Sequence, residues 1–384
     1  MFNIQEYNSN SQNLKNFLKS YQLRHLHKDN TPMTISFLVT DRCNLRCKHC
    51  FNHKTRISDY EKAKEELTLD EYEKLSNSLG FFASALICGG EPFLREDLHE
   101  IIKLFRVNNN VQWCGNGTNG QLTDNIVKQV ELICKQNTSR RYVLTFSMEG
   151  FEEQHDFTRG TGTFKRCMET WKEVKKLEAK YSNLRLATVS TMTSINQEIL
   201  PDFFRWCAKE MQPAAMSVLL VRQSPRGGMQ LKDVKAENYE KARATLNQLI
   251  KEGKNGAVNS PLAYIPSSYY YYITRTIKTG KRSFLCYAGK HGAYIDYNGE
   301  VNVCEVFGDP CCSDMPMTMG NLRDYNMDFI ELWNSEQARK VKQFVNRHPV
   351  CESCTHETEG MLPSVYFEPN NFGIESMEKE KWSV

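Results

Sequence analysis

The sequence predicts an α/β fold, a parallel sheet with crossover helices, followed by a small C-terminal domain. Between about residues 33 and 255, segments rich in β-branched and aromatic residues alternate with longer amphipathic segments. Six such strand–helix units are typical of a parallel sheet. Beyond residue 253 the alternation stops and cysteines become frequent. With 384 residues, 40% of them hydrophobic and 25% charged, the chain can bury a large core, which excludes a disordered or collagen-like class.

Each of the six predicted strands precedes a predicted helix. The strands are Met33–Val39, Ala83–Ile87, Val111–Cys114, Tyr142–Ser147, Leu184–Met192 and Met216–Val221. The helices are one that begins at Thr68, then Asp97–Arg106, Thr123–Gln136, Phe164–Lys176, Pro201–Glu210 and Ala236–Lys251. Thr68 and Glu71 have the spacing of a capping box. In such sheets the functional loops follow the carboxyl ends of the strands.

Composition and turn signals divide the chain into five regions. They are an N-terminal extension (1–32), the strand–helix region (33–252), a linker (253–280), a small domain (281–358) and a tail (359–384). Gly, Asn, Ser and Pro are frequent at the start of the linker, as is typical of loops. The small domain holds six of the fourteen cysteines, and its Asn298-Gly299 pair predicts a hairpin turn. A helix is expected over Ser335–Asn346.

Charge and hydropathy narrow the class of protein. The 49 Lys and Arg exceed the 46 Asp and Glu by three, so the net charge of +3 does not favour a nucleic-acid partner. The sequence has no apolar run long enough to span a membrane and no apolar segment typical of a secretion signal near its start. We therefore expect a cytoplasmic protein, in which disulfides are disfavoured and cysteines are better explained by metal ligation.

Three cysteines follow the first predicted strand. Cys43, Cys47 and Cys50 are separated by three and two residues. A zinc site would need a fourth ligand from elsewhere, whereas an iron–sulfur cluster is commonly held by cysteines in one short loop. Buried cysteines or a zinc knuckle remain the alternatives.

This Cx3Cx2C spacing, with Gly89-Gly90-Glu91-Pro92 after the second strand, resembles the radical S-adenosylmethionine superfamily. The resemblance covers roughly residues 33–355 and implies a partial (β/α)6 TIM-like barrel. It implies that the three thiolates hold a 4Fe–4S cluster whose unique iron binds S-adenosylmethionine through its amino and carboxylate groups. Reductive cleavage then releases a 5′-deoxyadenosyl radical that abstracts hydrogen from the substrate. His49 departs mildly from the family pattern, which usually has a phenyl, phenol or indole ring there, since its planar imidazole can also stack.

The same resemblance assigns the contacts of S-adenosylmethionine. The implied cofactor-binding residues are Gly89, Gly90, Glu91, Asn119, Ser147, Glu149, Arg159, Thr191 and Leu220. Glycines allow close approach of backbone carbonyls, and together with the Glu91 carboxylate they suit the methionine amino group. Arg159 would neutralise the methionine carboxylate, with a surface ion pair as the alternative. Thr191 and Leu220 are expected near the adenine or ribose.

A second set of cysteines lies in the small domain. Cys286, Cys304, Cys351 and Cys354 resemble the ligands of SPASM-type auxiliary-cluster domains. Because a full SPASM domain has seven cysteines and Cys354 is the last in the chain, we expect the shorter twitch type with one auxiliary 4Fe–4S cluster. Structural zinc is the alternative. Cys311 and Cys312 have no assigned role and are expected to be free thiols.

The resemblance does not identify the substrate. An auxiliary cluster favours oxidative modification of a small molecule or peptide, either a dehydrogenation or a C–S or C–C bond formation. A redox-neutral epimerase is the alternative, with Cys88 or Cys114 as a hydrogen-donating thiol. A non-enzymatic cluster-binding module is the alternative of another class. Arg222 and Arg226 would suit an anionic substrate group, although they are also explained by a solvated loop. The first electron would come from a donor such as flavodoxin or ferredoxin.

Overall fold

The computed structural model describes residues 31–52, 64–111, 113–136, 141–254, 267–308 and 317–356. Within them, nine strands form one sheet of order β6-β5-β4-β3-β2-β1-β7-β8-β9. The strands are β1 (Thr34–Leu38), β2 (Ser84–Cys88), β3 (Trp113–Thr118), β4 (Tyr142–Ser147), β5 (Leu184–Met192), β6 (Ala215–Leu220), β7 (Gly292–Ile295), β8 (Glu300–Asn302) and β9 (Gly320–Asn321). Strands β1–β6 pair in parallel, which confirms the predicted partial barrel.

Helices connect the parallel strands and continue into the C-terminal region. They are α1 (Leu69–Leu79), α2 (Leu98–Asn108), α3 (Thr123–Gln136), α4 (Glu152–Arg159), α5 (Thr163–Lys180), α6 (Leu200–Trp206), α7 (Ala236–Lys251), α8 (Ser267–Thr279), α9 (Glu305–Gly308), α10 (Phe329–Trp333) and α11 (Glu336–Phe344). A π-helical turn, Cys207–Met211, follows α6. The capping box of Thr68 and Glu71 is present at α1, as the spacing predicted. No helix in the described part of the chain is both long and apolar enough to cross a membrane.

Side chains of β3–β6 alternate between two environments. Those facing the helices, such as Cys114 and Phe146, are buried. Those facing the inside of the barrel are half-buried, and several are small, among them Gly117, Ser147 and Ser217. Small residues cannot fill the barrel, so its interior stays open toward the carboxyl ends of the strands.

Two differences from the predicted elements occur beside this opening. Strand β3 runs on through Gly115 and Gly117 to Thr118, four residues beyond its predicted end at Cys114. A Cβ atom on Gly115 would lie 2.9 Å from the Val143 carbonyl oxygen, so the glycine permits close packing of β3 on β4. The segment before α5, expected to be a loop, contains α4.

The C-terminal region continues the barrel sheet. Strand β7 pairs in parallel with β1, and β8 returns antiparallel to β7 around the predicted hairpin turn. Part of the stretch interpreted as a linker is the helix α8. The N-terminal extension up to residue 30, the tail from residue 357, and Cys311 and Cys312 lie outside the described residues.

Candidate cofactor cavity and second cysteine site

The first three cysteines line one cavity at the carboxyl edge of the sheet. Cys43, Cys47 and Cys50 all contribute to its wall, and its volume is about 240 Å³. Neighbouring loops hold this cysteine loop in place. The Lys48 N–H donates to the Thr158 carbonyl at 2.8 Å, and the Arg226 N–H donates to the Cys50 carbonyl at 3.0 Å. Hydrogen bonds to two neighbouring segments therefore fix the position of the loop.

Most predicted cofactor-binding residues line the same cavity. They are Gly89, Gly90, Glu91, Asn119, Ser147, Arg159, Thr191 and Leu220. Glu149 does not line it and lies behind Arg159. Thr118 is a lining residue that the sequence reasoning missed, because the end of β3 was placed too early. His49, Cys88, Arg222 and Arg226 complete the polar part of the wall.

Glu91 is held in a fixed orientation by three donors, one of which is the Phe93 N–H at 3.4 Å. Its carboxylate accepts from the Thr118 hydroxyl at 3.0 Å and from the Asn119 N–H at 2.7 Å. Burial raises the pKa of Glu91 to about 7, although these hydrogen bonds act to lower it. The Gly89-Gly90-Glu91-Pro92 motif and the Thr118-Asn119-Gly120 segment at the end of β3 thus meet at the buried carboxyl group of Glu91.

A buried ion pair stands next to the cysteines. Arg159 donates from Nε at 3.0 Å and from Nη2 at 2.6 Å to the same Glu149 oxygen. The other Glu149 oxygen accepts from the Thr191 N–H at 2.6 Å. The third guanidinium nitrogen, Nη1, lies 3.7 Å from the Cys47 sulfur. Glu149 therefore uses the Nε–H and one Nη2–H of Arg159, so a bidentate contact with a methionine carboxylate would have to use Nη1 and the second N–H of Nη2.

The pKa of Cys47 reflects these surroundings. Burial raises the pKa of its thiol to about 11. The Arg159 charge lowers it, and this effect exceeds the opposing effect of Glu149. A thiolate at this position consequently needs a cation or a metal centre beside it.

The two alternative thiols differ in position. Cys88 lines the cavity, and its sulfur lies 3.3 Å from the Phe37 carbonyl oxygen. Cys114 faces the helices, is 3% exposed and lies near the beginning of β3 instead of its end. Burial raises the pKa of the Cys114 thiol to about 11. Of these two residues, only Cys88 is positioned to exchange a hydrogen atom with a molecule in the cavity.

The other four predicted cysteines surround a second, small cavity in the C-terminal region. Cys286, Cys304, Cys351 and Cys354 line it together with apolar side chains and Arg282. Burial raises the pKa of the Cys286 thiol to about 12, while the Arg282 charge lowers it. The cavity brings together residues that are up to 68 positions apart in the sequence.

The donor sets of both cavities suit iron–sulfur clusters. Among the described residues, no three His, Cys, Asp or Glu side chains are close enough to surround a single ion. Thiolates that bind different irons of one cluster lie farther apart than the ligands of one ion. Three thiols on one wall and four around the other cavity are the sets that clusters bind.

A third cavity of about 470 Å³ lies at the open seam between the end of β6 and the C-terminal region. We call it the seam chamber. It shares Leu220 and Arg222 with the first cavity, and Cys354 and His356 with the second. Arg222 Nη1 donates to the carboxylate of Glu305 at 3.1 Å, and Glu305 is the residue that follows Cys304 in the sequence. The seam chamber thus adjoins both cysteine sites.

Comparison with protein families gives two matches. Residues 37–203 match the model described as the radical SAM superfamily, and residues 286–355 match SPASM, an iron–sulfur cluster-binding domain.

Curated relatives and solved structures were also found. An AdoMet-dependent heme synthase of Methanosarcina barkeri is 25% identical, with 85% of this chain and 90% of that protein covered. The mycofactocin maturase of Mycolicibacterium smegmatis is 23% identical, with 85% and 76% covered. The structure of anSMEcpe with bound AdoMet covers 82% of this chain and 80% of its own, with 20% identity and a TM-score of 0.54. Streptococcus suis SuiB bound to S-adenosylmethionine covers 89% and 73%, with 15% identity and a TM-score of 0.57.

Proposed function

The chain belongs to the radical S-adenosylmethionine superfamily and carries a SPASM-type iron–sulfur domain, and from this premise we propose that it oxidatively modifies a small molecule or peptide. This membership implies a 4Fe–4S cluster, S-adenosylmethionine and an auxiliary cluster as its cofactors. The proposal of an oxidation rests on the position of the seam chamber. The two cysteine sites are separate, and the seam chamber adjoins both of them.

Cys43, Cys47 and Cys50 would hold the first cluster. With S-adenosylmethionine bound, that cluster supplies reductive cleavage of the sulfonium and a 5′-deoxyadenosyl radical that abstracts hydrogen. Glu91 would accept from the N–H groups of the methionine amino group. The backbone of this motif lies against the segment before Cys43, because the Gly90 N–H donates to the Thr40 carbonyl and the Glu91 N–H to the Arg42 carbonyl, both at 2.8 Å. Asn119, Ser147, Arg159, Thr191 and Leu220 line the remaining wall, with Glu149 supporting Arg159.

Cys286, Cys304, Cys351 and Cys354 would hold the auxiliary cluster, which supplies an electron acceptor. In overall balance, one external electron and one S-adenosylmethionine are consumed. The substrate loses one hydrogen atom, which ends in 5′-deoxyadenosine, and then one proton and one electron. The product is therefore oxidised by two electrons. A flavodoxin or ferredoxin would supply the external electron.

We assign the substrate to the seam chamber. Its described wall combines apolar side chains, such as Val221 and Ile277, with two cations, Arg222, which is paired with Glu305, and Lys232. Such a lining suits an apolar molecule or side chain that carries a carboxylate. A tetrapyrrole is the first class to test, because a heme synthase aligns with most of the chain. A peptide is the second, because a mycofactocin maturase also does.

The decisive experiment measures iron, sulfide and 5′-deoxyadenosine after anaerobic reconstitution and dithionite reduction. We expect about eight irons per chain and S-adenosylmethionine cleavage. A Cys43→Ala variant should lose about four irons and all cleavage, and a Cys354→Ala variant should lose auxiliary-cluster iron and keep cleavage. Cys134→Ala is the matched control, because this core cysteine lines neither cysteine cavity.

Three results would reject all or part of the proposal. About four irons together with bound zinc would make the second site structural and remove the electron acceptor. Exchange of solvent deuterium into an unoxidised product would indicate a redox-neutral epimerase, with Cys88 as the thiol to test. A loaded, reducible first cluster that cleaves no S-adenosylmethionine, with or without the candidate substrates, would indicate a non-enzymatic module.

A further inference from the structure

The arrangement around Cys47 gives Arg159 a role that differs from binding the methionine carboxylate. We propose that Arg159 donates a hydrogen bond from Nη1 to the Cys47 sulfur and thereby raises the reduction potential of the cluster held there. The inference rests on the proposed function in one respect, because it takes Cys47 as a cluster ligand.

The contact joins two buried groups. The Nη1 to Sγ distance of 3.7 Å is within the range of hydrogen bonds to sulfur, whose atomic radius is larger than that of oxygen. The Arg159 side chain is 7% exposed and Cys47 is 8% exposed. Charges that are shielded from water interact more strongly than charges at the surface.

The guanidinium group is held in this orientation from its other side. Glu149 accepts from Nε and Nη2, so that only Nη1 is directed at the sulfur. Glu149 is 1% exposed and is fixed in turn by the Thr191 N–H. Turning Arg159 toward the middle of the cavity would break a buried ion pair, which is strongly unfavourable.

The backbone keeps the two partners together. Arg159 is the last residue of α4, and the residue before it, Thr158, accepts from the Lys48 N–H at 2.8 Å. Lys48 directly follows Cys47 in the sequence. Movement of α4 would therefore move the cysteine loop with it, and the contact between Arg159 and Cys47 would be retained.

The expected effect follows from charge. Reduction adds one electron to the cluster, and a cationic donor at a ligand sulfur stabilises the more negative state. Hydrogen bonds to sulfur and nearby charge are recognised determinants of cluster potential. The negative charge of Glu149 lies on the far side of the guanidinium, so the cationic end is the one nearer to the sulfur.

The test is an anaerobic redox titration followed by EPR on the full-length holoenzyme. The first cluster is identified as the signal that changes when S-adenosylmethionine is added. We expect Arg159→Gln to lower the midpoint potential by about 59 mV. For one electron, this shift makes the ratio of reduced to oxidised cluster about tenfold smaller at a fixed donor potential. Arg159→Lys keeps the positive charge but loses the planar guanidinium group. Its midpoint potential should lie between those of the wild type and Arg159→Gln.

Arg226→Gln is the matched control, because Arg226 lines the same cavity but, within the described part of the chain, its side chain forms no hydrogen bond with a cysteine sulfur. Iron content and the near-ultraviolet circular dichroism spectrum establish that each variant is loaded and folded. If Arg159→Gln does not load, Arg159→Lys alone decides the question. An unchanged midpoint in the loaded Arg159 variants, or a shift no larger than that of Arg226→Gln, would overturn the inference. A wild-type chain without a first cluster would instead overturn the proposed function.

Discussion

At the scale of single residues, the cavity depends on buried acids that play different parts. Glu149 is ion-paired with Arg159. Burial acts to raise the pKa of Glu149, but the Arg159 charge holds it below the ordinary value of a glutamate. Glu91 has hydrogen-bond donors but no cationic partner within hydrogen-bond distance in the described residues, and burial raises its pKa to about 7. The first acid is structural, whereas the second is available to a cationic ligand group.

This difference predicts a pH dependence of S-adenosylmethionine binding. The ionised Glu91 accepts hydrogen bonds from the methionine amino group more strongly than the protonated acid does, and below about pH 7 the free protein binds a proton there. The affinity should therefore fall as pH decreases through about 7, by up to tenfold per pH unit for one coupled proton. Anaerobic equilibrium binding from pH 6 to pH 9 measures this.

The Glu91→Gln variant should bind S-adenosylmethionine more weakly at pH 8 and lose the pH dependence. Glu66→Gln is the control, because Glu66 is a buried acid paired with Arg42 outside the cavity. A wild-type affinity that is constant across this range would show that Glu91 is not the group that accepts from the methionine amino group.

At the scale of elements, propensity and hydrophobic period predicted the regular parts of the fold. Strands β4 and β5 and helix α7 have the predicted bounds, because each carries enough apolar residues for its pattern to dominate. The end of β3 was missed because its glycines are turn formers in isolation, and only the neighbouring strand gives them a reason to lie in a sheet. The position of the cysteine cavity was predictable from motif order. The pairing of Arg159 with Glu149 was not, since it depends on how α4 packs.

Helix α4 was missed because it has only eight residues and few of them are apolar. Its last turn is joined to the next helix by Asp156, whose carboxylate accepts from the Gly162 N–H at 2.6 Å and from the Phe164 N–H at 2.8 Å. These are otherwise unpaired donors at the beginning of α5. A residue inside one helix thus caps the next helix.

Replacing Asp156 with alanine should lower the free energy of unfolding by about 1–2 kcal/mol, because those two donors lose their acceptor. Urea denaturation of the cluster-free protein followed by circular dichroism measures the change. Asp202→Ala is the control, since its side chain is 78% exposed and its ion pair with Arg205 should contribute little. Equal stability of the two variants would contradict a capping role for Asp156.

At the scale of the whole molecule, the C-terminal region completes the sheet that carries the first cavity. Strand β1 has all five of its residues buried and is hydrogen-bonded to β2 on one side and to β7 on the other. On the helical layer, Ser78 of α1 donates to the Met327 carbonyl at 2.9 Å, just before α10. The cysteine loop follows β1 directly, so it is supported by the barrel strand β2 and by the C-terminal strand β7.

We therefore expect a chain truncated after residue 280 to aggregate, because β1 becomes an apolar edge strand without a partner. The comparison is with the full-length double variant Cys351→Ala and Cys354→Ala, which lacks two ligands of the second site and keeps β7, β8 and α10. Size-exclusion chromatography and 5′-deoxyadenosine release measure both proteins. The double variant should stay monodisperse and cleave S-adenosylmethionine, because the strand that supports the cysteine loop is retained. A monodisperse, cleaving truncation would mean that β7 is dispensable and that the barrel sheet is stable without it.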